Sequence, residues 1–179
     1  MNVRGIASFL WETGKLVLIS LLIIIPIRYF VIQPFFVLGA SMEPTCQNGD
    51  YLIIDEISYI LGSPKRDDVI VFHYPYNTKQ FYIKRIIGLP GETVVLNEKG
   101  IMIKNAEHPE GFLLHEDFLP TKEEYGNKTV ALGTDEFFVL GDNREASSDS
   151  RSWGALKKEF IVGKVFVRAF PFQKAEAFY

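Results

Sequence analysis

Cysteine is almost missing from this chain. Cys46 is the one thiol among 179 residues, so no internal disulfide can form. Histidine is nearly as scarce, with His73, His108 and His115 well separated. A structural zinc site takes about four ligands at characteristic spacings, and these residues do not supply them. No metal and no other cofactor is expected. There is no basic block and the net charge is −3, which argues against a nucleic-acid partner. The serine-hydrolase elbow G-x-S-x-G is absent as well, because Gly39-Ala40-Ser41-Met42-Glu43 lacks the last glycine. Internal repeats and low-complexity tracts are missing too.

What is present begins with an apolar run. Leu16 to Ile27 is interrupted only by Ser20. At ~1.5 Å per residue such a run reaches only ~18 Å, short of a hydrocarbon core of ~30 Å. Lys15 and Arg28 flank it and can snorkel in opposite directions. A transmembrane anchor over 15–32 is therefore expected, kinked near Pro26, with Tyr29 and Phe30 at the interface. Arg4 and Lys15 lie before it, and no Lys or Arg follows Arg28 until Lys65. By the positive-inside rule 1–14 is cytoplasmic and 33–179 extracytoplasmic, in a cell-membrane protein with a single pass. A cleaved signal peptide would share the basic start and apolar core. Bulky Arg28, Tyr29, Phe30, Val31 and Ile32 follow the core, however, and favour an uncleaved anchor. Arg28 also speaks against a buried core helix.

Beyond the anchor the pattern is β. Pro34 ends the helix and starts an extended linker, Phe35 to Ala40. Tyr51–Ile54, Val69–His73 and Phe81–Ile87 are rich in branched and aromatic residues and read as strands. Gly62 to Asp68 is a solvated loop, and Gly88-Leu89-Pro90-Gly91 a turn. Thr93–Leu96 and Ile101–Ile103 flank Asn97-Glu98-Lys99-Gly100 as a hairpin. The stretch 92–133 reads as a peripheral excursion, part hairpin and part loop. Glu136–Leu140 and Ile161–Phe170 are further strands, with Gly163 a bulge. The fold class is mainly β, an antiparallel, partly open barrel or sandwich with one N-terminal transmembrane helix.

The candidate chemistry centres on Ser41. A serine hydroxyl needs a base within hydrogen-bond reach, and no histidine sits in a recognisable motif. A lysine can serve once neutral, which burial among apolar groups achieves. Lys84 suits that role. On an extended strand it shares a face with Tyr82 and Ile86 and points away from Arg85. An ordinary surface lysine would carry the same local pattern, so the surrounding motifs decide.

Those motifs resemble the bacterial type I signal peptidases. Gly39-Ala40-Ser41-Met42-Glu43-Pro44-Thr45 resembles their nucleophile box, and Tyr82-Ile83-Lys84-Arg85-Ile86-Ile87-Gly88-Leu89-Pro90-Gly91-Glu92 their lysine box. Gly141-Asp142-Asn143-Arg144 through Ser147, Asp149, Ser150, Arg151 and Trp153-Gly154 resembles their C-terminal box. Gly49–Leu52 and Asp67–Phe72 look like two intervening strands. The boxes come in order and, with the anchor, span the chain; its small size is similar to the compact Gram-positive type. The resemblance implies a membrane-bound serine endopeptidase that removes signal peptides from exported preproteins after small residues. Ser41 and Lys84 would be the dyad, working through an acyl-enzyme. Ser147 would hydrogen-bond and orient Lys84, with Arg85–Asp142 and Asp149–Arg151 as supporting ion pairs. In the Gram-negative pattern a serine two residues before the nucleophile lends its hydroxyl to the oxyanion hole; here that position is Gly39.

The expected partners are signal peptides of exported preproteins and the lipid bilayer. An extended peptide would add beside the Phe35–Gly39 linker or the Lys84 strand. Phe35, Val37, Gly39, Met42 and Ile83 are the candidate substrate-binding residues, and the aromatic and aliphatic ones read equally well as plain core. Cys46 reads as a small buried hydrophobe beside the site rather than a nucleophile. Two other readings compete. Mitochondrial inner-membrane processing peptidases and self-cleaving repressors share Ser/Lys chemistry, but the repressors need a DNA-binding domain, for which this chain has neither the room nor the basic surface. An inactive relative would be a membrane-tethered binding or scaffold module, and intact Ser41, Lys84 and Ser147 argue against it.

Overall fold

The computed structural model describes residues 3–30, 32–119 and 125–178, with side chains outside 3–8, 25–30 and 32. A helix, α1 (Val3–Phe30), leads into β1 (Ile32–Phe36), β2 (Tyr51–Asp55), a short helix α2 (Ile57–Leu61), β3 (Val69–Tyr74) and the long β4 (Asn77–Gly88). Then come β5 (Thr93–Asn97), β6 (Gly100–Lys104), β7 (Phe112–Leu113), β8 (Lys128–Ala131) and β9 (Glu136–Leu140). A single helical turn α3 (Ser150–Trp153), β10 (Leu156–Lys157), β11 (Ile161–Phe170) and β12 (Glu176–Ala177) complete the order.

Among the described residues no helix is long and apolar enough to cross a membrane. The expected anchor, 15–32, includes Val31, which lies outside the described residues, and its last residue, Ile32, already belongs to β1. The large aliphatic side chains of α1 that are described, Leu16 to Ile24, are all exposed.

Two antiparallel sheets make up the β portion. The larger runs β1-β2-β11-β3-β4-β9-β10, with β12 beside β11; the smaller runs β7-β6-β5-β8. The larger sheet curls upon itself. Phe35 of β1 meets Phe81 of β4 edge-on at 5.2 Å, although β2, β11 and β3 lie between those strands in the sheet. The mainly antiparallel β architecture expected is present, and the curled sheet leaves a seam between β1 and β4. In β2 burial alternates, with Leu52 and Ile54 inside, as a half-covered strand requires. On β4 the alternation stops, and every residue from Lys84 to Gly88 is buried. One face of that stretch packs through Ile86 against Ile70, Phe72, Phe137 and Val139. The other packs through Ile87 against the small sheet, with Val94, Ile101 and Ile103. The bulge at Gly163 is present as a register shift after Ile161. A Cβ there would lie 2.5 Å from the Asp55 carbonyl oxygen, so the close approach of β2 demands glycine.

Two expectations change. Pro34 does not begin an unpaired linker, because it sits within β1 and pairs with Ile53. A proline is tolerated there because β1 is an edge strand. The stretch 92–133 is more than a peripheral hairpin and loop. It forms a four-stranded sheet with its own core, Val94, Leu96, Ile101, Ile103, Tyr125 and Leu132, shared with Ile87, Phe138 and Leu140 of the large sheet.

Candidate active site

The turn that presents Ser41 is anchored from below. Cys46 N–H donates to the Met42 carbonyl at 2.8 Å, so the two side chains lie one helical turn apart on one face. Both are fully buried with Val37, Leu52, Ile54 and Val71. Ser41, immediately before Met42, is thereby held half-buried at the seam. Met42 is thus core and not a cleft wall, a correction that follows from this turn geometry. Arg168, itself buried, steadies the turn from behind, donating to the Thr45 carbonyl at 2.7 Å and to Asp50 at 3.2 Å. Burial, only partly offset by Arg168, pushes the Cys46 thiol up to about 12, so it stays protonated and unreactive.

β4 brings Lys84 to the same point. Its Nζ lies 2.7 Å from Ser41 Oγ and 2.8 Å from the Ile83 carbonyl oxygen, and 5.4 Å from the Tyr82 ring centre. Lys84 is 3% exposed. Burial pushes its amine down from 10.5 to about 8, against the opposing pull of the Asp149 and Asp142 carboxylates. No carboxylate bonds it directly in the described structure. An amine at this distance from a hydroxyl donates to it when charged and accepts its proton when neutral.

Arg85, the next residue, serves the opposite face. Its Nε and Nη2 meet both oxygens of Asp142 at 2.9 and 2.6 Å. Thr45 Oγ1 donates to the same carboxylate at 2.5 Å, and Arg85 Nη1 donates to the Asp67 carbonyl at 2.9 Å. This bidentate pair joins the Ser41 turn, the Lys84 strand and the segment after β9.

That last segment closes the site. Gly141 N–H donates to Asp149 at 3.2 Å, and Asn143 N–H donates to the Ser41 carbonyl at 3.1 Å. Arg151 grips Asp149 through Nε and Nη2, both at 2.8 Å. Burial alone would raise the Asp149 carboxyl; Arg151 and the nearby Ser147 hydroxyl outweigh it and hold it below the usual range. Gly141 packs so tightly that a Cβ would come within 2.3 Å of Ser147 Oγ and 2.4 Å of the Ser41 carbonyl oxygen.

A cleft of about 600 Å³ opens at the seam. Phe35 to Ser41 form one wall and Gln80 to Lys84 the other; Leu52, Val71, Ala146 and Ser148 complete the lining. Among the described residues no group of His, Cys, Asp and Glu is arranged to hold a metal ion.

These features fit one family, and the comparisons agree. Residues 10–170 match the family described as signal peptidase, peptidase S26. The chain belongs to the signal peptidase family, peptidase S26. The enzyme class is that of signal peptidase I. It is 38% identical to the signal peptidase I of Bacillus caldolyticus over 87% of this chain and 89% of that one. A probable signal peptidase I-1 of Synechocystis is 35% identical over 92% of this chain and 84% of its own. The crystal structure of a signal peptidase I from Enterococcus faecalis covers 56% of this chain and 95% of its own, with 35% identity and a TM-score of 0.48.

Within this signal peptidase, Ser41, Lys84, Ser147, Arg85, Asp142, Asp149 and Arg151 all converge. One expected bond is missing. Ser147 Oγ is buried without a well-formed hydrogen bond among the described residues, and Lys84 bonds Ser41 and Ile83 instead. Ser147 lies beside Gly141 and Asp149. Phe35, Val37, Gly39 and Ile83 line the cleft. Gly39 has φ +98° and open space around its Cβ position. Its backbone, rather than crowding, accounts for glycine where a serine hydroxyl stands in the Gram-negative pattern. Sequence reasoning missed Phe36, Leu38, Phe81 and Tyr82 as cleft residues, and it missed Glu116, Phe118 and Tyr125, which reach the site from the small sheet. The unbroken aromatic and apolar run Phe81-Tyr82-Ile83 was the available signal for the cleft; nothing local marked Glu116.

Proposed function

We propose that this peptidase removes signal peptides by a Ser41/Lys84 mechanism. One observation carries the reading: a buried lysine amine, lowered to about 8, lies 2.7 Å from the Ser41 hydroxyl. Neutral Lys84 takes the Ser41 proton as Oγ attacks the scissile carbonyl. The tetrahedral intermediate collapses, Lys84 returns the proton to the departing amine, and an acyl-enzyme remains. Water then attacks the ester as Lys84 takes its proton, and when the C–Oγ bond breaks Lys84 passes that proton to Ser41 Oγ, which restores the free serine and the neutral amine. The Ser41 backbone N–H is one oxyanion donor. Arg85–Asp142 and Asp149–Arg151 hold the three segments in register, and Ser147 fills the space behind Gly141.

The substrate lies extended in the seam between 36–40 and 80–83. On its β9 side β4 pairs only from Arg85 onward, so backbone groups before Lys84 can accept an added strand. Val37, Leu52, Val71 and Ile83 form apolar walls suited to small side chains before the cut. The exposed aliphatics Leu16 to Ile24 support a bilayer anchor over 15–32. In this topology 1–14 is cytoplasmic and 33–179, with 92–133 as an embedded subdomain, is extracytoplasmic.

The test is cleavage of a preprotein by the full chain in detergent, with the product N-terminus sequenced. Wild type should cut after a small residue, and Ser41→Ala and Lys84→Ala should be inactive. An active Ser41→Ala variant would overturn the mechanism.

A further inference from the structure

We infer that Glu116, contributed by the small sheet's connection, is a positioning residue for the catalytic turn, acting through Arg144 on the Gly141 peptide. This rests on the Ser41/Lys84 reading. Arg144 is 5% exposed. Its Nε donates to the Gly141 carbonyl at 2.8 Å and its Nη2 to Glu116 Oε1 at 2.6 Å. The other carboxylate oxygen, Oε2, accepts from the Tyr125 hydroxyl at 3.0 Å, and the Tyr125 ring centre lies 5.4 Å from Arg144 Cζ. Glu116 is therefore held at both oxygens and in turn fixes the guanidinium. Arg144 Nη1 is buried with no partner among the described residues, so its orientation depends on Gly141, Glu116 and Tyr125.

The grip falls where small displacements matter. Gly141 is held on its N–H side by Asp149 and on its carbonyl side by Arg144. Its Cα faces Ser147 and the Ser41 carbonyl without room for a methyl group. The next residue, Asp142, holds Arg85, and Asn143 N–H holds the Ser41 carbonyl. A shift of Gly141 thus moves Ser41 relative to Lys84. The same connection supplies Phe118, whose ring centre lies 4.0 Å from Arg85 Cζ. The small sheet therefore braces both arginines that frame the dyad. Glu116 touches neither substrate nor the reacting atoms, so its effect belongs in kcat and not in KM.

The experiment compares kcat and KM for preprotein cleavage by the full chain in detergent. The proteins are wild type, Glu116→Ala, Glu116→Gln, Tyr125→Phe and Ser41→Ala. Misplacing catalytic groups by about 1 Å costs ~100-fold, so Glu116→Ala should lose roughly that in kcat with KM within about twofold. Glu116→Gln keeps one oxygen to accept from Arg144 and reverses the Tyr125 contact, its amide N–H donating to the hydroxyl oxygen, so it should recover most of the loss, to within about fivefold of wild type; Tyr125→Phe should fall about threefold. Should Glu116→Ala fail to fold, the milder pair decides, and wild-type kcat in both overturns the proposal. A kcat loss that only follows the lost folded fraction also overturns it, as does a loss confined to KM. Inactive Ser41→Ala beside fully active Glu116→Ala overturns the brace alone, whereas active Ser41→Ala overturns the dyad reading and the brace with it.

Discussion

Lys84 and Arg85 are neighbours on one strand, both buried, yet they solve the problem of buried charge in opposite ways. Arg85 is met by a bidentate carboxylate, Asp142. Among the described residues no carboxylate contacts Lys84, and burial lowers its amine to about 8. Strand alternation sends them to opposite faces. The pair divides the labour of the site, with one permanent cation that fastens three segments and one amine able to lose its charge.

The first prediction concerns rate and pH. Only neutral Lys84 can act as base, so kcat/KM should climb about tenfold per pH unit below about 8 and level off above it. A pH-rate profile on a peptide spanning a cleavage site checks this. A profile flat from pH 6 to 9 contradicts it.

Stability should depend on pH at this position as well. The lysine is depressed in the folded state, from 10.5 to about 8. Below pH 8 the folded protein carries the full cost of that depression; between about 8 and 10.5 the unfolded chain holds the proton more tightly, so stability rises with pH. Replacing Lys84 by Met should therefore stabilise the fold near neutral pH by up to about 3 kcal/mol, a gain that disappears above pH 10.5. Denaturant midpoints for both proteins at pH 7 and pH 10.5 measure it.

Breaking the arginine pair should cost stability as well as activity. Asp142→Ala leaves the buried Arg85 guanidinium without its carboxylate and should lose about 3–5 kcal/mol. Denaturant unfolding checks the size, and a change below about 1 kcal/mol would contradict the role given to the pair.

Gly141→Ala should inactivate the enzyme more than it unfolds it. The added methyl group must displace Ser147 or the Ser41 carbonyl. Overpacking of this kind costs about 1–3 kcal/mol, whereas the displaced nucleophile should lower kcat by about 100-fold. Thermal melts and kinetics on the same preparation separate the two effects.

Cys46 should be dispensable for chemistry. Its thiol is fully buried and pushed up to about 12. Native protein at pH 8 should resist alkylation by iodoacetamide. Cys46→Ala should keep kcat within about threefold and lose about 1 kcal/mol of stability. A large kcat loss with the fold intact would reopen its role.

Much of this site was legible in the sequence because its residues come in contiguous boxes. Strands β2, β3, β9 and β11 were legible for a similar reason, with branched residues bounded by glycine, proline or aspartate. What escaped has physical causes. Proline marked 34 as a break, but an edge strand does not need that N–H. Ile57–Leu61 reads as one more apolar run, and no periodicity distinguishes a five-residue helix. Met42 resembled a pocket residue until the Cys46-to-Met42 turn turned it inward. The Glu116–Arg144 contact spans 28 residues and depends on how the small sheet folds back, which local pattern does not encode.

The most direct test of the mechanism is the titration of Lys84 itself. Lysine side chains labelled with nitrogen-15 would be followed by NMR in the full chain in detergent, with the Lys84 signal assigned by its loss in Lys84→Met. The account predicts an amine that loses its proton near pH 8. A Lys84 still charged at pH 10 would contradict it.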